Sequence, residues 1–200
     1  MKPEEDKSLG NEYDSRLPSF EKVCDKARFL LHQEIARRKI PIHSLDGRVK
    51  PFASFIAKAK QQHTSRPFDE IHDIVGLRVV CLFKSDLQEI AKVVREVFQV
   101  QHEDDKAATR DPEKFGYEAI HLDVKFKDRF DKLDANIIFE IQIRTIAQDA
   151  WDSVSHHLDY KKEDSIPATI RKDLYALSGL FYVADTQFET LKYRYKEYQV

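Results

Sequence analysis

Three short segments with the residue pattern of β-strands, set between segments of helical periodicity, constrain the fold of this chain most. Leu77 to Phe83 is an apolar run rich in β-branched residues, which is typical of a buried strand. Apolar and polar residues alternate over 120–126, which predicts a strand with one buried face. A third strand is predicted over 137–143. We therefore expect an α+β domain with a small mixed β-sheet flanked by helices.

Apolar residues recur at helical spacing in five further segments, which we predict to be helices: 17–38, 51–63, 86–98, 145–160 and 168–198. Residues 1–16 are polar and are predicted to form a flexible N-terminus. The remainder, 17–200, is predicted to be a single domain that ends in a long helix. Polar loops are expected over 43–50 and 103–115, and loops as long as the second are often functional.

Composition excludes several classes of protein. The 200 residues carry a formal net charge of −2, so the chain is not a polycation that coats nucleic acid. The two cysteines, Cys24 and Cys81, lack the spacing of a zinc site or a disulfide framework. The N-terminus is acidic, unlike a signal peptide, and no apolar stretch approaches the ~20 residues of a membrane span. We expect a cytoplasmic protein that does not enter a membrane.

A basic cluster lies where the predicted loop at 43–50 leads into a helix. Its members are Arg48, Lys50, Ser54 and Lys58, and the last two share one helix face because they are four residues apart. Cations and a hydroxyl near a helix N-terminus suit a phosphate group. The segment 28–66 holds nine cationic residues against two acidic ones. The alternative interpretation of this cluster is a solvated basic helix face.

Two carboxylates stand beside arginines at the predicted strands. Asp73 precedes the buried strand that contains Arg78, an arrangement that suits a metal ion held against phosphates. Strand alternation places Glu140, Gln142 and Arg144 on one face, where Glu140 fits a general base or metal ligand and Arg144 a phosphate clamp. The alternatives are a turn carboxylate at Asp73 and a solvent-facing sheet surface at Glu140.

Tyr117 follows Gly116 at the end of the long polar loop, before the strand that carries His121. An aromatic side chain projecting beside a phosphate site can stack on a nucleotide base. The alternative is an aromatic ring packed beneath the loop. Together with the two carboxylates and the cations, Tyr117 indicates phosphoryl transfer that involves a nucleotide.

Four motifs occur in order along the chain: RVKPFASFIAK, HDIVGLRVV, GYEAIH and FEIQIRTIAQDAW. In these motifs the sequence resembles the synthetase domain of the RelA/SpoT family and its short members, the small alarmone synthetases, from about Leu45 to Asp185. The resemblance implies a nucleotidyltransferase-like synthetase fold. It also implies transfer of the β,γ-pyrophosphoryl group of ATP to the 3′-hydroxyl of GDP or GTP, giving the alarmones ppGpp or pppGpp.

The resemblance further implies a role for each matching residue. Asp73 and Glu140 would be catalytic and would hold Mg²⁺ as the cofactor. Arg48, Lys50, Ser54, Lys58 and Arg78 would bind ATP. Tyr117, His121, Gln142 and Arg144 would bind the acceptor, with the ring of Tyr117 stacked on guanine.

The acceptor side departs from the family pattern at Glu118, where a cation or amide is usual, and at Ala119, where a serine is usual. Two alternatives therefore stay open. In one, ATP remains the pyrophosphate donor and the acceptor is an adenine nucleotide or the 3′ end of a tRNA. In the other, the chain is a nucleotide-binding regulatory module with little catalysis. The expected partners are ATP and GDP or GTP, with self-association up to a homotetramer. Nucleic acid is compatible with this set but not required.

Overall fold

The structure is a computed structural model that describes residues 3–105, 119–127, 136–158 and 167–199. Its elements follow one another along the chain: α1 (Pro3–Arg37), β1 (Ile42–Val49), α2 (Phe52–Gln62), α3 (Pro67–Glu70), a 3-10 turn (His72–Ile74), β2 (Val75–Cys81), α4 (Lys84–Val97), β3 (Phe98–Asp105), β4 (Ile120–Phe126), β5 (Phe139–Thr145), α5 (Ile146–His157) and α6 (Ala168–Tyr198).

The five strands form one mixed sheet in the order β1-β2-β5-β4-β3. β2 and β5 run parallel at the centre, and the other neighbouring strands are antiparallel. Helices α1 and α4 pack against the sheet, and α5 contacts both central strands. The prediction of an α+β domain with a small mixed sheet flanked by helices is confirmed.

The two faces of the sheet differ in polarity because side chains alternate along each strand. One face is apolar, with Leu77 and Ile141 fully buried beneath the helices. On the other face, residues paired in register form two rows that cross the sheet. The first polar row is Arg48, Gly76, Glu140 and Asp123. The second polar row is Asp46, Arg78, Gln142 and His121.

β1 lies in a segment predicted to be a loop, and β3 runs from the end of a predicted helix into the second predicted loop, so the structure differs from the prediction at both strands. Both lie at the edges of the sheet, and both are rich in polar residues, with sequences IHSLDGRV and FQVQHEDD. An edge strand has one neighbour and need not be apolar on either face. Their polar composition therefore resembled that of a loop.

The N-terminal segment also differs from the prediction, because α1 is helical from residue 3 instead of starting near residue 17. The buried ring of Tyr13 packs against Phe20, Phe52 and Phe55. Its hydroxyl donates a hydrogen bond to the carbonyl oxygen of Lys50 at 2.5 Å. The expectation of a flexible N-terminus over 1–16 is therefore incorrect for residues 3–16, and this part of α1 supports the predicted phosphate cluster.

α1 and α6 are the longest helices, with 35 and 31 residues. α6 matches the predicted range, and its outward side carries many exposed large apolar residues. Charged residues recur along both helices. In the part of the chain that the structure describes, no helix combines the length and apolar character needed to cross a membrane.

Gly47 is expected to tolerate no side chain, in contrast to Gly76. A Cβ at Gly47 would lie 2.8 Å from Sγ of Cys24, whereas a Cβ at Gly76 would meet no atom within 4 Å. We expect Gly47→Ala to lower the free energy of unfolding by about 1–3 kcal/mol, the usual cost of overpacking a core. Gly76→Ala is the matched control and should change it by less than about 1 kcal/mol. Urea unfolding of both variants measures the difference, and equal effects would contradict the packing.

Candidate active site

Asp73 is held by two lysines at the turn that precedes β2. Its Oδ2 accepts hydrogen bonds from Nζ of Lys50 at 2.8 Å and from Nζ of Lys58 at 2.9 Å. Lys50 follows β1 and Lys58 lies on α2, so three elements meet at one carboxylate. The backbone of Asp73 departs from the helical region, at φ −89° and ψ 23°, which is a sparsely populated conformation common among active-site residues.

The second oxygen of Asp73 suits a metal ion. Burial opposes ionisation of Asp73, but the hydrogen bonds from Lys50 and Lys58 outweigh burial, so its pKa lies below the ordinary value. The other oxygen, Oδ1, is buried and has no hydrogen-bond partner among the described residues. An ionised carboxylate oxygen without a donor is what a hard cation such as Mg²⁺ takes as a ligand.

Glu140 lies in the first polar row and accepts hydrogen bonds from two residues of the second polar row, His121 and Gln142. Nδ1 of His121 is 3.1 Å from Oε1 of Glu140, and Nε2 of Gln142 donates to Oε2 at 2.5 Å. Burial opposes ionisation of Glu140, but these hydrogen bonds and the charge of His121 outweigh burial, so its pKa is lowered. Glu140 is therefore an ionised carboxylate in a half-buried setting.

Asp73 and Glu140 face the same space above the sheet. Glu140 is the register partner of Gly76, three residues after Asp73, and the charge of Asp73 acts to raise the pKa of Glu140. Gly76 lies between Glu140 and Arg48 in the first polar row and leaves open space there. The described residues contain no group of three or more His, Cys, Asp or Glu side chains arranged as a metal site. Mg²⁺ is usually bound by one or two carboxylates together with water and the phosphates of a substrate.

Two arginines beside these carboxylates are held by the first turns of α5. Nη1 of Arg78 donates to Oδ1 of Asp149 at 3.2 Å. Nη1 of Arg144 donates to Oδ2 of Asp152 at 2.5 Å and lies 3.5 Å from Oδ1 of Asp149, while its Nη2 donates to Oε1 of Gln142. Arg144 is 2% exposed. Its burial does not support the predicted role of Arg144 as a phosphate clamp and fits a structural support of Gln142 better.

The structure brings most of the predicted site residues to one region. Lys50, Lys58 and Asp73 form one cluster, and Glu140, His121, Gln142 and Arg144 form another. Arg48 and Arg78 belong to the first and second polar rows. Ser54 is exposed on α2, and its backbone N–H donates a hydrogen bond to the carbonyl oxygen of Pro51. Tyr117 and Glu118 lie outside the described residues.

Three functional neighbours were missed by sequence reasoning. Asp149 and Asp152 hold the arginines, and their spacing of three residues on a helix was a detectable sign of one face. Asp123 completes the first polar row and its Oδ2 lies 2.8 Å from Nδ1 of His72. The alternation along β4 already places Asp123 on the same face as His121.

The ionisation of Glu140 is expected to make the free energy of unfolding depend on pH. Its pKa is lower in the folded chain than its ordinary value of 4.5, so the ionised group stabilises the fold above pH 4.5 and this contribution is lost as the pH falls through the folded pKa. Glu140→Gln removes the titration. The difference in free energy of unfolding between the two proteins should therefore shrink as the pH is lowered from about 6 to about 3. Urea unfolding across that range measures it, and a constant difference would contradict the expectation.

A model of the region found in RelA / SpoT proteins matches residues 47–165, more than half of the chain. The matched range contains both carboxylates and all four motifs. The chain belongs to the RelA/SpoT family. The GTP pyrophosphokinase YjbM of Bacillus subtilis is 32% identical over 164 residues, which cover 80% of this chain and 76% of that protein.

Solved structures agree with this assignment. The crystal structure of the small alarmone synthetase 1 from Bacillus subtilis superposes with a TM-score of 0.80 at 26% identity, covering 94% of this chain and 99% of that one. The same synthetase bound to its product pppGpp superposes with a TM-score of 0.78 at 25% identity, covering 92% and 97% of the two chains. The predicted synthetase fold is confirmed.

Proposed function

We propose that this protein is a (p)ppGpp synthetase, which transfers the pyrophosphoryl group of ATP to the 3′-hydroxyl of GDP or GTP. The observation that carries the proposal is the placement of two ionised carboxylates, Asp73 and Glu140, near enough for the charge of Asp73 to act on Glu140, beside the open space at Gly76. Phosphoryl transfer needs positioning and charge neutralisation more than covalent chemistry from the protein. Relatives named as a GTP pyrophosphokinase and a pppGpp-bound synthetase support the choice of substrates.

ATP would lie on the side of β1 and α2. Lys50 and Lys58 contact Asp73, and Arg48 is the register partner of Gly76. These three cationic groups suit the triphosphate, and the hydroxyl of Ser54 on the first turn of α2 would add a hydrogen bond. Mg²⁺ would be held by the buried Oδ1 of Asp73, with Glu140 near by. When bound, it would polarise the transferred group and neutralise charge that develops on the phosphate oxygens.

The acceptor would lie on the side of β4 and β5. Glu140 is ionised and accepts the proton of the 3′-hydroxyl as a general base. Nδ1 of His121 lies at Glu140, whereas its Nε2 is buried and has no hydrogen-bond partner among the described residues. It is therefore available for a hydroxyl of the acceptor. Gln142 orients Glu140, and Tyr117 would stack on the guanine base.

We further propose that the protein self-associates and acts in the cytoplasm. The exposed apolar residues of α6 suit a contact between copies: Ile170, Leu177, Leu180, Val183, Leu191 and Tyr195. A homotetramer is the expected assembly. The supply of ATP and guanine nucleotides in the cytoplasm supports this location. Nucleic acid is not required for the proposed reaction.

A panel of acceptors tests the proposal. The protein is incubated with Mg²⁺ and ATP labelled at the γ-phosphate, separately with GDP, GTP, GMP, ADP and bulk tRNA, and Glu140→Gln serves as the inactive control. We expect label on GDP and GTP that is lost in the control. Label on ADP or tRNA alone would assign the protein to an altered acceptor. Label on none of them, with ATP bound, would leave a regulatory nucleotide-binding module and would contradict the proposal.

A further inference from the structure

The junction between β5 and α5, which adjoins the candidate active site, is held from the C-terminal helix. Thr145 is fully buried at the end of β5, next to Arg144. Its Oγ1 donates a hydrogen bond at 2.7 Å to Oδ2 of Asp185, which lies on α6 and is 2% exposed. A hydrogen bond between a buried hydroxyl and a carboxylate is strong enough to fix the hydroxyl orientation.

The same hydroxyl caps α5. The backbone N–H of Gln148 donates to Oγ1 of Thr145 at 3.2 Å, and the backbone N–H of Thr145 donates to Oε1 of Gln148 at 2.9 Å. This reciprocal arrangement is a capping box, in which the first residue and the third helical residue satisfy each other's backbone groups. Because the hydroxyl proton of Thr145 is directed to Asp185, a lone pair of Oγ1 remains directed to the N–H of Gln148.

The first turns of α5 then carry the carboxylates that orient two arginines at the site. Asp149 accepts from Arg78, and Asp152 accepts from Arg144. Arg144 in turn donates to Gln142, which donates to Glu140. If the start of α5 moved, Asp152 would move with it, and the orientation of Arg144 and Gln142 would change. The position of Glu140, the proposed general base, would change as a result.

We propose that Asp185 is a positioning residue for the transfer reaction and acts through Thr145 on the capping box of α5. This inference rests on the proposed function for its kinetic consequence, while its structural consequence is independent of any substrate. Asp185 does not touch the substrates and acts on the orientation of Arg78 and Arg144. Helix α6, which carries the exposed apolar residues, is thereby connected through hydrogen bonds to Glu140.

Three variants of α6 test the inference. Asp185→Ala removes the acceptor of the Thr145 hydroxyl, and Asp185→Asn keeps an oxygen at the same place. Asp173→Ala removes an exposed carboxylate of the same helix and is the matched control. The rates are measured at a temperature where all variants are folded. We expect Asp185→Ala to lower kcat by about tenfold and to change KM for ATP by less than about threefold. The reason is that misoriented arginines weaken the stabilisation of the transition state more than they weaken the binding of ATP. Asp185→Asn should recover at least half of the wild-type kcat.

Amide hydrogen exchange at Gln148 supplies a readout that needs no substrate. We expect exchange at this N–H to be at least tenfold faster in Asp185→Ala than in the wild type, and unchanged in Asp173→Ala. Unchanged exchange in Asp185→Ala, or unchanged kcat when exchange is faster, would overturn the inference. A loss of thermal stability with wild-type kcat would assign Asp185 a structural role only. If the wild type transfers label to no acceptor, the proposed function fails, and the exchange rate still decides whether Asp185 holds the cap.

Discussion

Asp73→Asn is expected to lower kcat for pyrophosphoryl transfer by at least about a thousandfold, which corresponds to about 4 kcal/mol of lost transition-state stabilisation. Asparagine has the shape of aspartate but no charge. The substitution would weaken the binding of Mg²⁺ and leave Lys50 and Lys58 without their shared acceptor charge. Both effects act on the phosphate side of the site.

Steady-state rates across a range of Mg²⁺ concentrations measure this prediction. We expect the Mg²⁺ concentration for half-maximal rate to rise in Asp73→Asn, in addition to the lower kcat. Asp69→Asn is the matched control, because Asp69 is exposed on α3, four residues earlier in the chain. Activity within about tenfold of the wild type in Asp73→Asn would exclude Asp73 as the essential metal ligand.

Glu140→Gln is expected to lower kcat by about 10²–10⁴-fold, the usual contribution of a general base. The amide keeps the shape of the side chain, and its one oxygen can still accept a hydrogen bond from one of the two neighbours. It cannot take the proton of the acceptor hydroxyl. Gly76 separates Glu140 from Arg48 of the basic cluster. We therefore expect the affinity for ATP to change little. This difference separates the role of Glu140 from that of Asp73.

Binding of a non-hydrolysable ATP analogue, measured by calorimetry beside the rates, distinguishes the two roles. We expect Glu140→Gln to bind the analogue within about threefold of the wild type, because no acceptor chemistry is involved. Glu197→Gln, an exposed position near the end of α6, is the matched control. A large loss of ATP affinity in Glu140→Gln with a nearly unchanged kcat would show that Glu140 binds the donor and is not the base.

The central part of the fold was predictable because its residue patterns are strong. β2 is apolar apart from Arg78, and β4 alternates without interruption, with a buried residue at every second position. β1 and β3 were not predictable in the same way, because edge strands carry polar residues and their partners are distant in sequence. The start of α1 was also missed, since the burial of Tyr13 depends on contacts with α2 that are remote along the chain.

The candidate site was predictable where its residues share one element. Strand alternation alone placed Glu140 and Gln142 on one face, and the structure confirms that placement. The partners supplied by other elements were not predictable, because they arise from packing between segments distant in sequence. Asp149 beside Arg78 is one case, at a separation of 71 residues. Asp185 beside Thr145 is another, at a separation of 40 residues.

Identification of the two products of one reaction tests the central claim most directly, that Asp73 and Glu140 form the transfer site of a (p)ppGpp synthetase. ³¹P NMR is recorded on ATP and GDP incubated with the wild-type protein and Mg²⁺, and on the same mixture with Glu140→Gln. The account predicts equal amounts of AMP and a guanine nucleotide with a new pyrophosphoryl group on its 3′-hydroxyl, with both products formed about 10²–10⁴-fold more slowly by the variant. Formation of ADP with transfer of a single phosphoryl group, or AMP and 3′-pyrophosphorylated product at the wild-type rate in the variant, would contradict it.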